Sequence, residues 1–308
     1  SSPLLVLGAA GVDIIAYLEA PLEPGTSNPA RVRRSYGGVA RNVAENLARL
    51  GHPVRLLSAV GEDESGRQVL AHTRDAGVDV SAVLKTEEYP TGFYMGVLSN
   101  QGRLELAVDD MRIMSTLTSD YLRAHEDLFH TSGLLFLDAN LPEKTLRTAF
   151  SLARKAKIPV CADPTSSGLA GRLKKYLNRL YVITPNSTEA SILTGIPVEA
   201  SERESALEAA RALVEQGVEI ALVTLAEFGV VYATSETTGH IPAIRTSITD
   251  PTGAGDALTA AFLFGLLHEM DIDEAVRLGV SAASLTLRHP GAVCPDLSLE
   301  RLYEQLPY

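Results

Sequence analysis

The chain has 308 residues, 45% of them hydrophobic and 21% charged, a balance that excludes a disordered polypeptide and allows one large α/β domain or two smaller ones. Its net charge of −11 argues against broad binding to nucleic acid or anionic membrane, because phosphate surfaces reward clustered Lys and Arg. Its two cysteines, Cys161 and Cys294, lack the spacing of a zinc site or a disulfide framework, so a reducing, cytoplasmic setting is expected.

The apolar run Leu4 to Leu18 has no basic flank and carries Asp13, so it reads as a first buried strand rather than a signal peptide. No stretch approaches the ~18–20 uninterrupted apolar residues of a membrane span. A loop-rich segment with Pro21, Pro24, Gly25 and Pro29 follows. Gly37-Gly38 then opens a helix whose Val39, Val43, Leu47 and Leu50 share one face, with Gly51 as its stop. Val54 to Val60 reads as a strand. From Thr91 to Ile113 two strand-like runs flank Ser99-Asn100-Gln101-Gly102, the pattern of a hairpin. With residues 15–36 it is expected to form a small antiparallel lid, about 15–36 and 91–113, inserted into one domain spanning 1–308 and able to close on a substrate.

Further units alternate: a strand at Leu134 to Asp138, a helix at Leu141 to Ala156, strands at Pro159 to Asp163 and Tyr181 to Thr184, a helix at Leu207 to Gln216, and a strand at Ile220 to Leu225. Such alternation predicts a mostly parallel sheet covered by helices on both faces. Between them, His125-Glu126-Asp127-Leu128-Phe129-His130 has its histidines five apart, which does not put them on one helix face as paired metal ligands. No Gly-x-x-x-x-Gly-Lys phosphate loop is present.

The segment Gly239 to Ile248 reads as extended chain, Asp250-Pro251-Thr252-Gly253-Ala254-Gly255-Asp256 as a tight turn, and the apolar run from Ala257 as a helix. Free amides at Gly253, Ala254 and Gly255 at a helix start favour an anion. Asp256 beside them can take a proton from a hydroxyl while the amides hold charge developing on a transferred group. Taken alone, the turn reads equally well as ordinary helix punctuation, since glycine tolerates positive φ and Asp suits a first turn.

Two motifs together narrow the reading. Gly37-Gly38-Val39-Ala40-Arg41-Asn42-Val43-Ala44, followed by Gly51 and Gly61, and the turn Asp250 to Asp256 resemble the signature motifs of the PfkB family of carbohydrate and nucleoside kinases, over Leu4 to about Pro295. The resemblance implies a ribokinase-like fold and ATP-dependent transfer of a phosphoryl group to a primary hydroxyl. It implies that Asp256 is the catalytic base and that Gly253, Ala254 and Gly255 form the anion hole. It makes Asp13, Gly38 and Asn42 ligands of the acceptor, and Asn186, Thr224, Gly229, Gly253 and Gly255 contacts of the nucleotide. Asn186-Ser187-Thr188-Glu189 matches a motif that orders magnesium through water, with Glu189 as its acidic member; the same tetrapeptide alone reads as a helix cap. Asp250, Thr252 and the loop His289-Pro290-Gly291-Ala292 resemble a potassium-binding part. Val280 stands where the family often carries Asn on the adenine side.

Asp109-Asp110-Met111, Asp138-Ala139-Asn140-Leu141 and Ala162-Asp163-Pro164-Thr165 resemble the pseudouridine-phosphorylating subgroup, which implies that Asp109 and Asn140 meet a nucleoside. Another nucleoside, a free sugar such as ribose or fructose, and a non-catalytic nucleoside-binding protein of the same fold stand as alternatives. A dinucleotide-binding enzyme is disfavoured, because Gly8-Ala9-Ala10-Gly11 lacks the Gly-x-Gly-x-x-Gly spacing. The resemblance, with the open edge of the hairpin, also implies a homodimer formed through the lid.

Overall fold

Alternate residues of the first strand, β1 (Leu4–Leu7), enter two separate hydrophobic clusters: Leu4 and Val6 go to one, Leu5 and Leu7 to the other. A strand that is apolar on both sides needs cover on both sides. In the computed structural model, which describes residues 1–306, β1 pairs in parallel with β4 (Val54–Leu57) and β9 (Leu134–Asp138). The parallel run continues through β10 (Val160–Asp163), β11 (Val182–Ile183) and β12 (Ile220–Thr224). Antiparallel β13 (Val230–Ala233) and β14 (Thr238–Ile241) close one edge of this eight-stranded sheet.

Helices α1 (Val39–Arg49), α2 (Glu64–Asp75), α8 (Ala254–Leu267), α9 (Ile272–Leu287) and α10 (Leu299–Glu304) contribute to the first cluster. The second cluster takes side chains from α3 (Ser119–Ala124), α4 (Glu126–His130), α5 (Glu143–Ala156), α6 (Ser187–Thr194) and α7 (Arg203–Glu215). Helix α8 is buried continuously from Ala257 to Gly265 and packs against both α1 and α9, which explains why its sequence is apolar all round. Its N-terminus is thereby held at the sheet's carboxyl end, where open α/β folds place their ligands. Among the described residues no helix is long and apolar enough to cross a membrane.

A second, four-stranded sheet has the order β3 (Ala30–Gly37), β2 (Gly11–Leu18), β7 (Gly92–Leu98), β8 (Leu104–Asp110). Strand β2 is antiparallel to β3 and parallel to β7, and β7 and β8 form the expected hairpin. The register sets Ser35, Asp13, Tyr94 and Asp109 in one row across all four strands. On the opposite face, Val32, Ala16, Val97 and Leu106 form another row.

Three expected strands differ. Leu4 to Leu18 is two strands in different sheets, because the chain leaves the main sheet at Gly8 to Ala10, where the buried Asp138 carboxylate accepts the amide of Ala9 at 2.9 Å. Val54 to Val60 likewise divides at Ser58: β4 stays in the main sheet and β5 (Ala59–Gly61) pairs with β6 (Leu84–Thr86). The extended reading of Gly239 to Ile248 holds only to Ile241, since Pro242 has no amide with which to continue the ladder.

Candidate active site

The carboxyl ends of the parallel strands and the small sheet enclose a cavity of about 740 Å³. Of the residues singled out in the sequence, Asp13, Gly38, Asn42, Asp109, Asn140, Thr252, Gly253 and Asp256 line it. Tyr94, Thr165 and Arg172 also line it and were not singled out as site residues. Tyr94 alternates inward with Asp13 and Asp109 in the cross-strand row, a placement that becomes visible only once the register of three strands is known. Arg172 donates to the carbonyls of Ala139 and Leu141, fixing the loop that carries Asn140.

Helix α8 begins at the cavity wall. Its N-cap, Gly253, has φ 80 and supplies no side-chain acceptor, so the amides of the first turn keep their hydrogen-bonding capacity for a ligand. Asp256 sits on that first turn and accepts from Asn42 Nδ2 at 2.9 Å, a contact between residues 214 apart in sequence. Asn42 is aimed by its neighbour: Arg41 Nη2 donates to Asn42 Oδ1 at 2.8 Å, leaving the amide nitrogen for Asp256. Arg41 is itself only 1% exposed and pairs through Nη1 with Glu45 Oε1 at 2.7 Å. Burial opposes the charge on Glu45, but hydrogen bonds from His72, Arg41 and Arg49 outweigh it and hold the carboxyl well below its usual range. Removing one member of such a buried pair costs about 3–5 kcal/mol, so Arg41 both stabilises α1 and orients the site. Beyond its place in the Gly37 to Ala44 motif, the sequence signal for its pairing is the i,i+4 Arg/Glu spacing.

Withdrawal from water, with Asp138 and Asp13 adding like charge, pushes the Asp256 carboxyl up to about 7, although the Asn42 hydrogen bond and Arg41 act the other way. Asp13 is pushed up to about 6, chiefly by burial and also by Asp250, against Arg41 and Arg33. Burial and like charge thus give the site a carboxyl whose proton affinity lies near neutrality, the range in which a general base works. For a base that works ionised, the active fraction falls as pH drops through about 7. We expect kcat to decline below neutrality, with a further loss near pH 6 as Asp13 protonates; a kcat profile flat from pH 8 to 5.5 would exclude this role.

Outside the cavity lining, Asp250, Ala254 and Gly255 belong to the turn and first turn of α8, and Asn186, Glu189, Thr224 and Gly229 lie along neighbouring strand and helix ends. Asn186 caps α6 and forms a reciprocal capping box with Glu189, at 2.8 Å and 3.0 Å. Asn186 also bridges to Thr224 at the end of β12, and Gly229 turns the chain from there into β13 with φ 94. Glu189 is buried and its carboxyl is raised by that burial. Asp163 is raised well above its ordinary value, first by burial and then by the charges of Asp256 and Glu189. These three acids thus join the cavity to the Asn186–Thr224 side. Val280 packs in the hydrophobic core of α9 and so offers no polar contact. His125 lies over Tyr121 and His130 pairs with Glu126; among the described residues no group of three or more acids, histidines or cysteines is set to hold a metal.

A parallel sheet flanked by helices, a small second sheet over its carboxyl end, and a carboxylate beside an uncapped helix start define a ribokinase-like phosphotransferase. The family model described as pfkB family carbohydrate kinase matches residues 2–297, and the chain belongs to that family of sugar and nucleoside kinases. It is 32% identical over 297 residues to the pseudouridine kinase of Escherichia coli K12, covering 96% of this chain and 94% of that one. It is 30% identical to the guanosine-inosine kinase of Exiguobacterium acetylicum, over 91% and 93% of the two chains. Among solved structures, Arabidopsis thaliana ribokinase complexed with ribose and ATP superposes with a TM-score of 0.86 at 25% identity, covering 100% of this chain and 99% of that one.

Proposed function

We propose that the protein transfers the γ-phosphoryl group of ATP to the 5′-hydroxyl of a nucleoside, with pseudouridine as the preferred acceptor. The observation that carries this is the placement of Asp256 and the open first turn of α8 on the wall of a cavity also lined by Asp13, Asn42, Asp109 and Asn140. In this reading the small sheet is a lid, and Asp13, Asn42 and the Gly38 backbone hold the ribose. Asp256 takes the proton of the attacking hydroxyl, and the amides from Gly253 to Gly255 meet the charge that develops in transfer.

The cavity supports a nucleoside over a free sugar. At about 740 Å³ it falls in the range that accommodates drug-sized ligands, and Phe93, Leu98, Leu104 and Met111 give it apolar walls that a bare polyol does not use. Preference for pseudouridine draws on the similarity to the E. coli enzyme. The nucleotide is assigned to the Asn186, Thr224 and Gly229 side, where Asn186 bridges to Thr224 and Gly229 turns the chain into β13. Glu189, with Asp163, fits magnesium held through water: desolvation raises the proton affinity of both, and a divalent cation would favour their ionised forms. When bound, magnesium neutralises charge on the nucleotide phosphates.

The test is kcat/KM for pseudouridine, uridine, guanosine, ribose and fructose with ATP, read as ADP release. Pseudouridine is expected to exceed the free sugars by about 10²-fold or more, since a site shaped for a base loses its apolar contacts with a bare sugar. Ribose or fructose as the best acceptor would overturn the nucleoside assignment. Ligand binding without ADP release from any acceptor would make this a binding protein that has kept the fold.

The lid also supports a homodimer. Val32, Leu106 and Val108 are exposed on the face away from the cavity, and β8 is an open sheet edge. Sedimentation is expected to show a dimer, and Leu106→Lys to shift it to monomer; a monomeric unaltered protein at micromolar concentration would reject this arrangement.

A further inference from the structure

Asp250, at the head of the catalytic turn, is fully buried. Its Oδ1 accepts the amide of Thr252 at 2.9 Å, and its Oδ2 accepts the amide of Gly291 at 2.9 Å together with the guanidinium of Arg33. Arg33 comes from β3 of the lid, on the same sheet face as Asp13, and joins two points 217 residues apart in sequence. Its Nη1 is buried with no hydrogen-bond partner and faces the His289 to Ala292 loop: a Cβ placed on Gly291 would lie 3.6 Å from it.

These are the residues that the family resemblance assigns to potassium, and with Arg33 in place they do not fit it. A buried carboxylate needs one compensating positive charge, and the guanidinium already supplies it. A potassium ion beside the same carboxylate would sit within a few ångströms of a like charge, and away from bulk water that repulsion is only weakly screened.

We propose that Arg33 is a tethered replacement for the monovalent cation, carried on the lid and holding the Asp250 to Asp256 turn in its working geometry without potassium. Arg33 is a positioning residue in this scheme: it touches Asp250, and Asp250 in turn holds the amides of Thr252 and Gly291 around the anion site. Because the charge arrives on β3, the lid and the catalytic turn are linked by a single ion pair. The lid strand that shapes the acceptor site therefore also steadies the phosphoryl site.

The activity arm of the test rests on the phosphotransferase reading above; the stability arm does not, so a wrong acceptor and a wrong role for Arg33 give different results. The full chain is assayed, and its Tm measured, in chloride salts of potassium, sodium and choline at equal ionic strength. For the unaltered protein, kcat is expected to vary less than about twofold between salts, with no Tm gain specific to potassium. Arg33→Met is expected to lose about tenfold or more in kcat in choline, and to recover several-fold with potassium or with millimolar guanidinium, which refill the vacated charge. Its Tm should rise in potassium relative to sodium. The proposal is overturned if the unaltered protein is activated about tenfold by potassium or gains Tm specifically from it. It is equally overturned if Arg33→Met matches the unaltered protein in every salt.

Discussion

Asp256→Asn is expected to lower kcat by about 10²–10⁴-fold, with KM for the acceptor changed only a few-fold. The substitution keeps the volume of the side chain and an oxygen to accept from Asn42 Nδ2, so the acceptor site stays shaped as it is. It removes only the ability to take up a proton. Stability should not fall and is expected to rise slightly, because burial and the neighbouring Asp138 and Asp13 already favour a neutral group at this position. The linkage has a definite sign. A carboxyl whose folded pKa is about 7 binds its proton more tightly than in the unfolded chain, so its stabilising contribution is full in acid and is lost as pH rises through 7. An uncharged amide side chain avoids that loss at neutral pH. The pH limb near 7 should also vanish from the residual activity. Turnover within a few-fold of the unaltered protein, in a folded Asp256→Asn variant, would sink the base assignment.

The parts of this site that could be read from sequence are those whose logic is local. The turn Asp250 to Asp256 compresses a strand end, a positive-φ glycine and a helix start into seven residues, and each leaves its own mark on residue type. The hairpin at Thr91 to Ile113 and the helix after Gly38 are legible for the same reason. What depends on long-range partners was not. A continuous apolar run does not record that β1 and β2, or β4 and β5, pair in different sheets, because both environments reward the same side chains. Arg41 gave no sign that it would be buried, since an arginine is normally exposed unless a partner such as Glu45 is buried with it. Arg33 meets Asp250 only because the small four-stranded sheet brings β3 beside the turn before α8. Asp163 stands in a short local string, but its shared field with Asp256 and Glu189 arises where the end of β10 meets the first turns of α8 and α6. Helix α2, capped by Asp63 through the amide of Gly66, has ordinary cap chemistry but a weak periodic signal, because its apolar face is narrow: Val69 and Leu70 are its only residues in the core cluster.

Gly253→Ala should be as damaging to turnover as loss of the base, but by a route that also harms the fold. Gly253 has φ 80, and a Cβ placed there would lie 2.1 Å from the carbonyl oxygen of Ala292. That oxygen belongs to backbone in the loop held by Asp250 through Gly291, so no side chain can swing aside to make room. The left-handed conformation costs an alanine about 1–2 kcal/mol before the overlap is counted. Relief requires the turn to rotate, and rotation carries the amides of Ala254 and Gly255 away from the position proposed for the transferred group. Since one misplaced donor of this kind is worth about 10²–10³ in kcat, the expected loss is of that size or greater, with a lowered Tm. Gly255→Ala is the matched control: no heavy atom lies within 4 Å of the Cβ it would add, and its φ is not in the left-handed region. It should keep its Tm, and any loss of turnover there would come from a methyl group crowding the ligand rather than from a displaced helix start. A Gly253→Ala protein with normal turnover would show that the amides at this helix start do not hold the transferred group, even if Asp256 proved essential. The two substitutions therefore separate the base from the anion hole, which the sequence motif presents as one unit.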